Sequence, residues 1–223
     1  ATPPLENYIV DIPTYDEAEQ KGLLRHIYMR QAHRTGQVMV CPVINGKQLP
    51  FAEALIESLL KADPNIKSIV LNINTENTNV VLGEKSLTIW GSDYITDRLC
   101  GLDFRISPLS FYQVNTKGAE ILYGQAAEYA GLTGKETVLD LYCGADKAKE
   151  IIGVESVPQA VEDAKVNAQI NNINNARFIC ADAAQAAEQL KAEGVNPDVI
   201  ILDPPRKGCA PELLHTVAQM NPG

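Results

Sequence analysis

The sequence predicts an α/β fold with a doubly wound parallel sheet in its second half, preceded by a smaller α+β unit. Three observations carry this. From about Ile106 onward, short apolar β-type runs alternate with helical patterns, the order that builds a parallel sheet covered by helices. The run DVIIL (Asp198 to Leu202) is continuous and apolar, as inner parallel strands are. The run VLDLYCG (Val138 to Gly144) ends in an acid and breaks at a glycine, the form a first strand takes where a ligand meets the backbone. The predicted division is residues 1–105 and 106–223.

Taken in order, residues 1–20 are proline-rich and then acidic, a lead-in rather than a packed element. Leu23 to Gln31 and Gln37 to Val43 are β-rich runs joined at His33-Arg34-Thr35-Gly36, which reads as a hairpin. Leu49-Pro50 opens a helix with Phe51, Leu55 and Leu59 at helical spacing. Lys67 to Asn74, Asn77 to Leu82 and Ser86 to Trp90 are expected as strands, and Asp93 to Leu99 with Leu102 to Ile106 complete a strand-rich segment. Asn115 to Ala130 is a predicted helix with Ile121, Leu122 and Tyr129 on its apolar face and Gly131 as C-cap. Val138 to Tyr142, Glu150 to Val154, Arg177 to Cys180 and Asp198 to Leu202 follow as strands. Pro158 to Asn171, Ala183 to Ala192 and Pro211 to Gln219 are the helices between and after them. In the first of these, Ala160, Val161, Ala164 and Ala168 lie on the buried side.

One spacing is wrong for this fold. Only Ala145 to Lys149 separate Gly144 from the next strand, whereas parallel neighbours need a crossover of about a dozen residues. Glu155 follows Gly144 by 11 residues, where the ribose-binding acid of a dinucleotide site stands about 20 past the glycine fingerprint. The expectation is that about eight or nine residues are absent around 145–149. With no GxGxxG present, an NAD site is poorly supported.

Bulk composition narrows the classes. Net charge is −9, and both halves are acidic, with 10 basic against 13 acidic residues up to Arg105 and 9 against 15 after it. A nucleic-acid partner would therefore need a local basic patch. The densest cationic cluster is Arg25, His26, Arg30, His33 and Arg34, either a solvated hairpin face or a phosphate-contacting surface. Five scattered cysteines with no CxxC favour a reducing compartment and argue against a zinc site. No membrane-length apolar run or signal-peptide pattern occurs, so the expected setting is cytoplasmic. Asp140, Glu155, Asp182 and Asp203 stand at the carboxyl ends of predicted strands, the edge where open parallel sheets bind ligands, and favour a nucleotide-like one.

Three strings together, SPLSFYQVN (Ser107 to Asn115), VLDLYCG and LDPPRKGC (Leu202 to Cys209), resemble the S-adenosylmethionine-dependent RNA uracil-C5 methyltransferases, the TrmA/RumA group. GLLRHIYMRQAHRTGQVMV is similar to that group's central domain, and the text is most similar to the Gram-positive 23S rRNA enzymes of RlmCD type. The resemblance implies a Rossmann-like class I methyltransferase domain behind a small α+β domain, S-adenosylmethionine as cofactor and RNA as partner, with no membrane and no obligate protein partner. It implies cofactor contacts from Gln113, Tyr142, Glu155, Asp182 and Asp203. Arg206 would reach phosphate or the loop backbone, and Arg25, Arg30 and Arg34 would face RNA. Its chemistry adds a cysteine thiolate to uracil C6 so that C5 can attack a methyl sulfonium, after which a base removes the C5 proton.

The family's nucleophilic cysteine lies in an SCNP-like string past the DPPR helix, and is expected here beyond Gly223. Cys209 matches a non-nucleophilic position, and no counterpart of an OB-like module or of iron–sulfur cysteines is expected. The chain as it stands should bind cofactor weakly and not turn over. Three rivals remain: the same chemistry on a tRNA T-loop uridine, an amino-group methyltransferase with an Asp-Pro-Pro loop, and a non-catalytic RNA-binding protein retaining the fold. Against the second, Arg206 stands where an aromatic stacker belongs.

Overall fold

The computed structural model describes residues 12–140, 148–204 and 207–222. The chain divides into two compact units, one of residues 1–98 and 104–109, the other of residues 99–103 and 110–223.

In the first unit, β1 (Leu24–Gln31) and β2 (Val38–Ile44) form the expected antiparallel hairpin. β2 pairs in parallel with β3 (Ile66–Ile73), which pairs antiparallel with β4 (Lys85–Gly91), giving the order β1-β2-β3-β4. Every residue of β2 is buried, as its nearly unbroken apolar run VMVCPVI requires of an inner strand. Pro42 sits in this inner strand, and the ladder to β3 steps from Val40↔Ile69 to Val43↔Asn72 across it. The parallel pairing of β2 with β3 needs a crossover, supplied by α1 (Ala52–Ala62). Leu59 on this helix packs with Val38, Val40, Ile66 and Ile69, and Leu55 lies against them.

The helix starts at Ala52, two residues after the Pro50 of the predicted start. Phe51 is the N-cap, with φ 58°, and its side chain is 63% exposed. Asn77 to Leu82 is not a strand. The Asn74 amide donates to the carbonyls of Val80 (2.7 Å) and Val81 (3.2 Å), and the buried Asn72 exchanges bonds with Gly83 through its amide (2.8 Å) and its carbonyl (2.7 Å). These side chains give the loop the partners a neighbouring strand would have supplied. At Gly83 a Cβ would collide with the Ile73 carbonyl oxygen, so the loop approaches β3 too closely for any other residue. β5 (Ile95–Leu99) and β6 (Leu102–Ile106) form a separate hairpin.

In the second unit β7 (Thr137–Asp140), β8 (Glu150–Glu155), β9 (Ala176–Cys180) and β10 (Val199–Ile201) make a parallel sheet in the order β10-β7-β8-β9. The fold is thus the expected α/β one. β7 and β8 are parallel neighbours, Thr137 opposite Glu150 and Asp140 opposite Gly153, although only nine residues join them. The reading that residues are absent around 145–149 falls mostly outside the described residues.

The helices are α2 (Thr116–Ala130), α3 (Pro158–Ile170), α4 (Ala183–Ala192) and α5 (Pro211–Met220). Asn115 caps α2, its carbonyl oxygen accepting from the Gly118 N–H at 3.0 Å, and Gly131 ends it in the left-handed region at φ 57°. Leu139, Ile152 and Val154 of the sheet pack against Ala186, Ala187 and Leu190 of α4 and Leu213 and Met220 of α5. The face of α2 bearing Ile121, Leu122 and Tyr129 was expected to be buried. It is exposed by 75%, 59% and 83%, and α2 buries the small residues Thr116 and Ala119 instead.

Candidate functional site

The carboxyl edge of the parallel sheet gathers acids because each strand ends in one or runs into one. Asp140 ends β7 and is buried, Glu155 ends β8, Asp182 follows β9, and Asp203 follows β10 and is exposed. Register fixes their order along the edge. Ile201 of β10 lies beside Asp140, and Glu155 lies beside Cys180 of β9, two residues before Asp182.

Two of these acids also hold helix starts. Oε1 of Glu155 accepts from the Val157 N–H at 2.9 Å and from the Ser156 hydroxyl at 3.2 Å, just ahead of α3. Oδ1 of Asp182 accepts from the N–H groups of Ala184 (2.9 Å) and Gln185 (3.4 Å), the N-cap of α4. In both, the second carboxylate oxygen takes no hydrogen bond among the described residues. Each acid is therefore oriented through one oxygen while the other stays available. Such a carboxylate, fixed at a strand end, is suited to accept from the hydroxyls of a sugar.

The segment before α2 completes this part of the unit. The Ser110 hydroxyl, nearly buried, donates to Oδ2 of Asp163 on α3 at 2.6 Å. Gln113 is half-buried and donates from Nε2 to the Tyr123 hydroxyl of α2 at 3.3 Å. Tyr142 and Arg206, both expected in the site, lie outside the described residues, as does Cys143.

The expected RNA-facing arginines are engaged within the first unit. The Arg25 guanidinium donates to the carbonyls of Asn74 (3.0 Å), Glu76 (2.7 Å) and Thr78 (3.1 Å) and stacks over Tyr15 at 4.6 Å. Arg30 donates to the Tyr28 hydroxyl at 2.6 Å and to the Ser107 carbonyl at 2.9 Å. Arg34 is exposed at the hairpin turn, whose backbone is held by Asp97. That carboxylate is 1% exposed and accepts from the N–H groups of His33 (2.9 Å), Arg34 (2.8 Å) and Thr35 (3.4 Å). Burial alone would raise its pKa, but the N–H groups around it outweigh burial and hold it below the ordinary value. Asp97 was not singled out from the sequence, and no local signal could have found its hold on the turn, since His33, Arg34 and Thr35 stand more than 60 residues away.

Among the described cysteines, Cys41 is fully buried and its thiol is pushed up to about 11, chiefly by burial, with the Arg30 charge and the Asn72 N–H opposing. Cys209 packs against the core of the second unit. Among the described residues no group of three or more His, Cys, Asp or Glu could hold a metal ion, and no helix is long and apolar enough to cross a membrane.

No protein-family profile matches the chain. Individual proteins do. A Caldanaerobacter subterraneus protein named an uncharacterized RNA methyltransferase is 47% identical over 220 residues, covering 95% of this chain and 49% of that protein. A Halalkalibacterium halodurans protein of the same description is 46% identical over 216 residues, 93% of this chain and 47% of the other. The chain spans about half the length of the curated relatives it matches. Among solved structures, the Pyrococcus abyssi tRNA (uracil-54, C5)-methyltransferase in complex with S-adenosyl-L-homocysteine superposes on 98% of this chain and 53% of its own, with a TM-score of 0.77 and 28% identity. The chain is thus similar, over nearly its whole length, to proteins named RNA methyltransferases, and its second unit has the Rossmann-like parallel-sheet fold of S-adenosylmethionine-dependent methyltransferases.

Proposed function

We propose that this chain carries the cofactor site of an enzyme that transfers a methyl group from S-adenosylmethionine to C5 of a uridine in RNA, with 23S rRNA as the target. The observation that carries the reading is the row of oriented acids at the carboxyl edge of the β10-β7-β8-β9 sheet. It is supported by the superposition on a uracil-C5 methyltransferase over 98% of the chain. Bound cofactor supplies an electrophilic methyl group on a sulfonium. Glu155 accepts from the ribose hydroxyls through the oxygen left over by its bonds to Ser156 and Val157, and Asp182 faces the adenine side. Gln113 contacts the cofactor from the segment ahead of α2. Asp203 stands where cofactor and base meet, and Tyr142 and Arg206 complete the proposed set.

Two described cysteines are poorly suited to supply the thiolate that activates C5: Cys41 is buried with its thiol pushed up to about 11, and Cys209 packs against the core of the second unit. Arg34, exposed on a turn fixed by Asp97, is the best placed of the proposed RNA-facing arginines, whereas Arg25 and Arg30 act through the loops they organise. A tRNA uridine target is the second reading, favoured by the substrate named for the Pyrococcus abyssi enzyme.

Isothermal titration with S-adenosylmethionine tests the site. The chain should bind it, and Glu155→Ala, Asp203→Ala and Gln113→Ala should each weaken binding. No heat of binding from the folded chain would refute the reading. Methylation of 23S rRNA and of tRNA by the enzyme that contains this chain, with mapping of the modified base, distinguishes the two targets.

A further inference from the structure

We propose that Tyr123 is a positioning residue that pre-orients Gln113 for the cofactor, an inference that rests on the cofactor reading above and names a residue it does not use. Among the described residues of the proposed cofactor set, Gln113 is the one that is not on the sheet edge. It lies on irregular chain between Ser110 and the Asn115 cap, where a long amide side chain has many rotamers to lose on binding.

The structure removes that freedom in three places. Ser110 is tied to Asp163 on α3 at 2.6 Å, which fixes the backbone on one side of Gln113. Asn115 caps α2 through the Gly118 N–H, with Thr116 and Ala119 buried behind it, which fixes the backbone on the other side. Tyr123, two turns along α2 and half-buried, accepts from Nε2 of Gln113 at 3.3 Å.

The last bond anchors the amide. A glutamine amide carries a donor end and an acceptor end, and a phenol hydroxyl pairs with either. With Nε2 donating to the phenol, Oε1 is left as the acceptor for a ligand N–H or O–H. Tyr123 suits this role because it is half-buried on α2 and carries its hydroxyl at the tip of a rigid ring. Phenylalanine would keep the ring and remove the amide's partner. Tyr123 itself need not touch the ligand.

A double-mutant cycle on the chain tests this, with S-adenosylmethionine as the titrant and thermal melts run alongside. Tyr123→Phe should weaken binding about threefold to tenfold, the range for loss of one neutral hydrogen bond. Gln113→Ala should weaken it at least as much. In the Gln113→Ala background, Tyr123→Phe should have no further effect, because the group it positions is gone. The positioning role is overturned if Tyr123→Phe leaves affinity unaltered while Gln113→Ala lowers it, or if Tyr123→Phe costs the same in both backgrounds, which would mark a general structural effect. If the unmodified, folded chain does not bind at all, the cofactor reading falls and takes this role with it.

Discussion

Replacing Asp97 with alanine should loosen the turn His33 to Gly36 and lower the melting temperature of the chain. The carboxylate is 1% exposed and holds the turn through N–H groups at 2.9 Å (His33), 2.8 Å (Arg34) and 3.4 Å (Thr35). A hydrogen bond to a charged acceptor contributes about 1.5–3 kcal/mol. The His33 and Arg34 bonds are well formed, and the Thr35 bond is too long to count. Two good bonds give about 3–6 kcal/mol, and because the donor residues are exposed, water recovers part of it, leaving about 3 kcal/mol. For a chain of this size that is a drop of roughly 6–12 °C. Asp97→Asn keeps one acceptor oxygen and should cost about half as much.

Calorimetry and amide exchange at residues 33–35 give the readout. The pH dependence has a definite sign. The folded pKa of Asp97 lies below its ordinary value. Its contribution is therefore present above the unfolded pKa of about 3.9 and lost as pH falls through the lower folded value. The difference between wild type and Asp97→Ala should close in acid. A drop under about 2 °C at neutral pH, with amide protection at 33–35 unchanged, would refute the reasoning.

Arg25→Ala should release the loop after β3, costing about 2–4 kcal/mol and speeding limited proteolysis between Asn77 and Leu82, because three carbonyls lose a charged donor. Arg25→Lys should not restore protection, since one ammonium cannot bridge carbonyls that a planar guanidinium spans. Leu139→Ala, at a fully buried position of the parallel sheet, should cost about 2–5 kcal/mol in denaturant titration. With its thiol raised to about 11 by burial, Cys41 should resist a thiol reagent at pH 8 until the chain unfolds, while the exposed Cys100 and Cys180 react at once.

Much of the fold is legible in local pattern. The hairpin β1–β2, helix α2 with its Gly131 cap, and the strand–helix alternation after Ile106 all appear where apolar period and turn residues put them. Misreadings occur where a side chain replaces a ladder or a face goes unused. Asn77 to Leu82 has β composition, yet Arg25 captures its Thr78 carbonyl and Asn74 those of Val80 and Val81. Ile121, Leu122 and Tyr129 have helical spacing, but period alone does not say whether anything covers that face.

For the site, the sequence by itself determined the row of acids, since each stands at the end of an apolar run whose strand character is local. Tertiary structure alone decided how Glu155 and Asp182 each use one oxygen, because those bonds depend on the backbone that follows. It also decided that β7 and β8 pair despite a nine-residue link. It revealed Asp97 and the partners of Arg25 for the same reason: hydrogen bonds between residues 49 to 64 positions apart leave no trace in local periodicity.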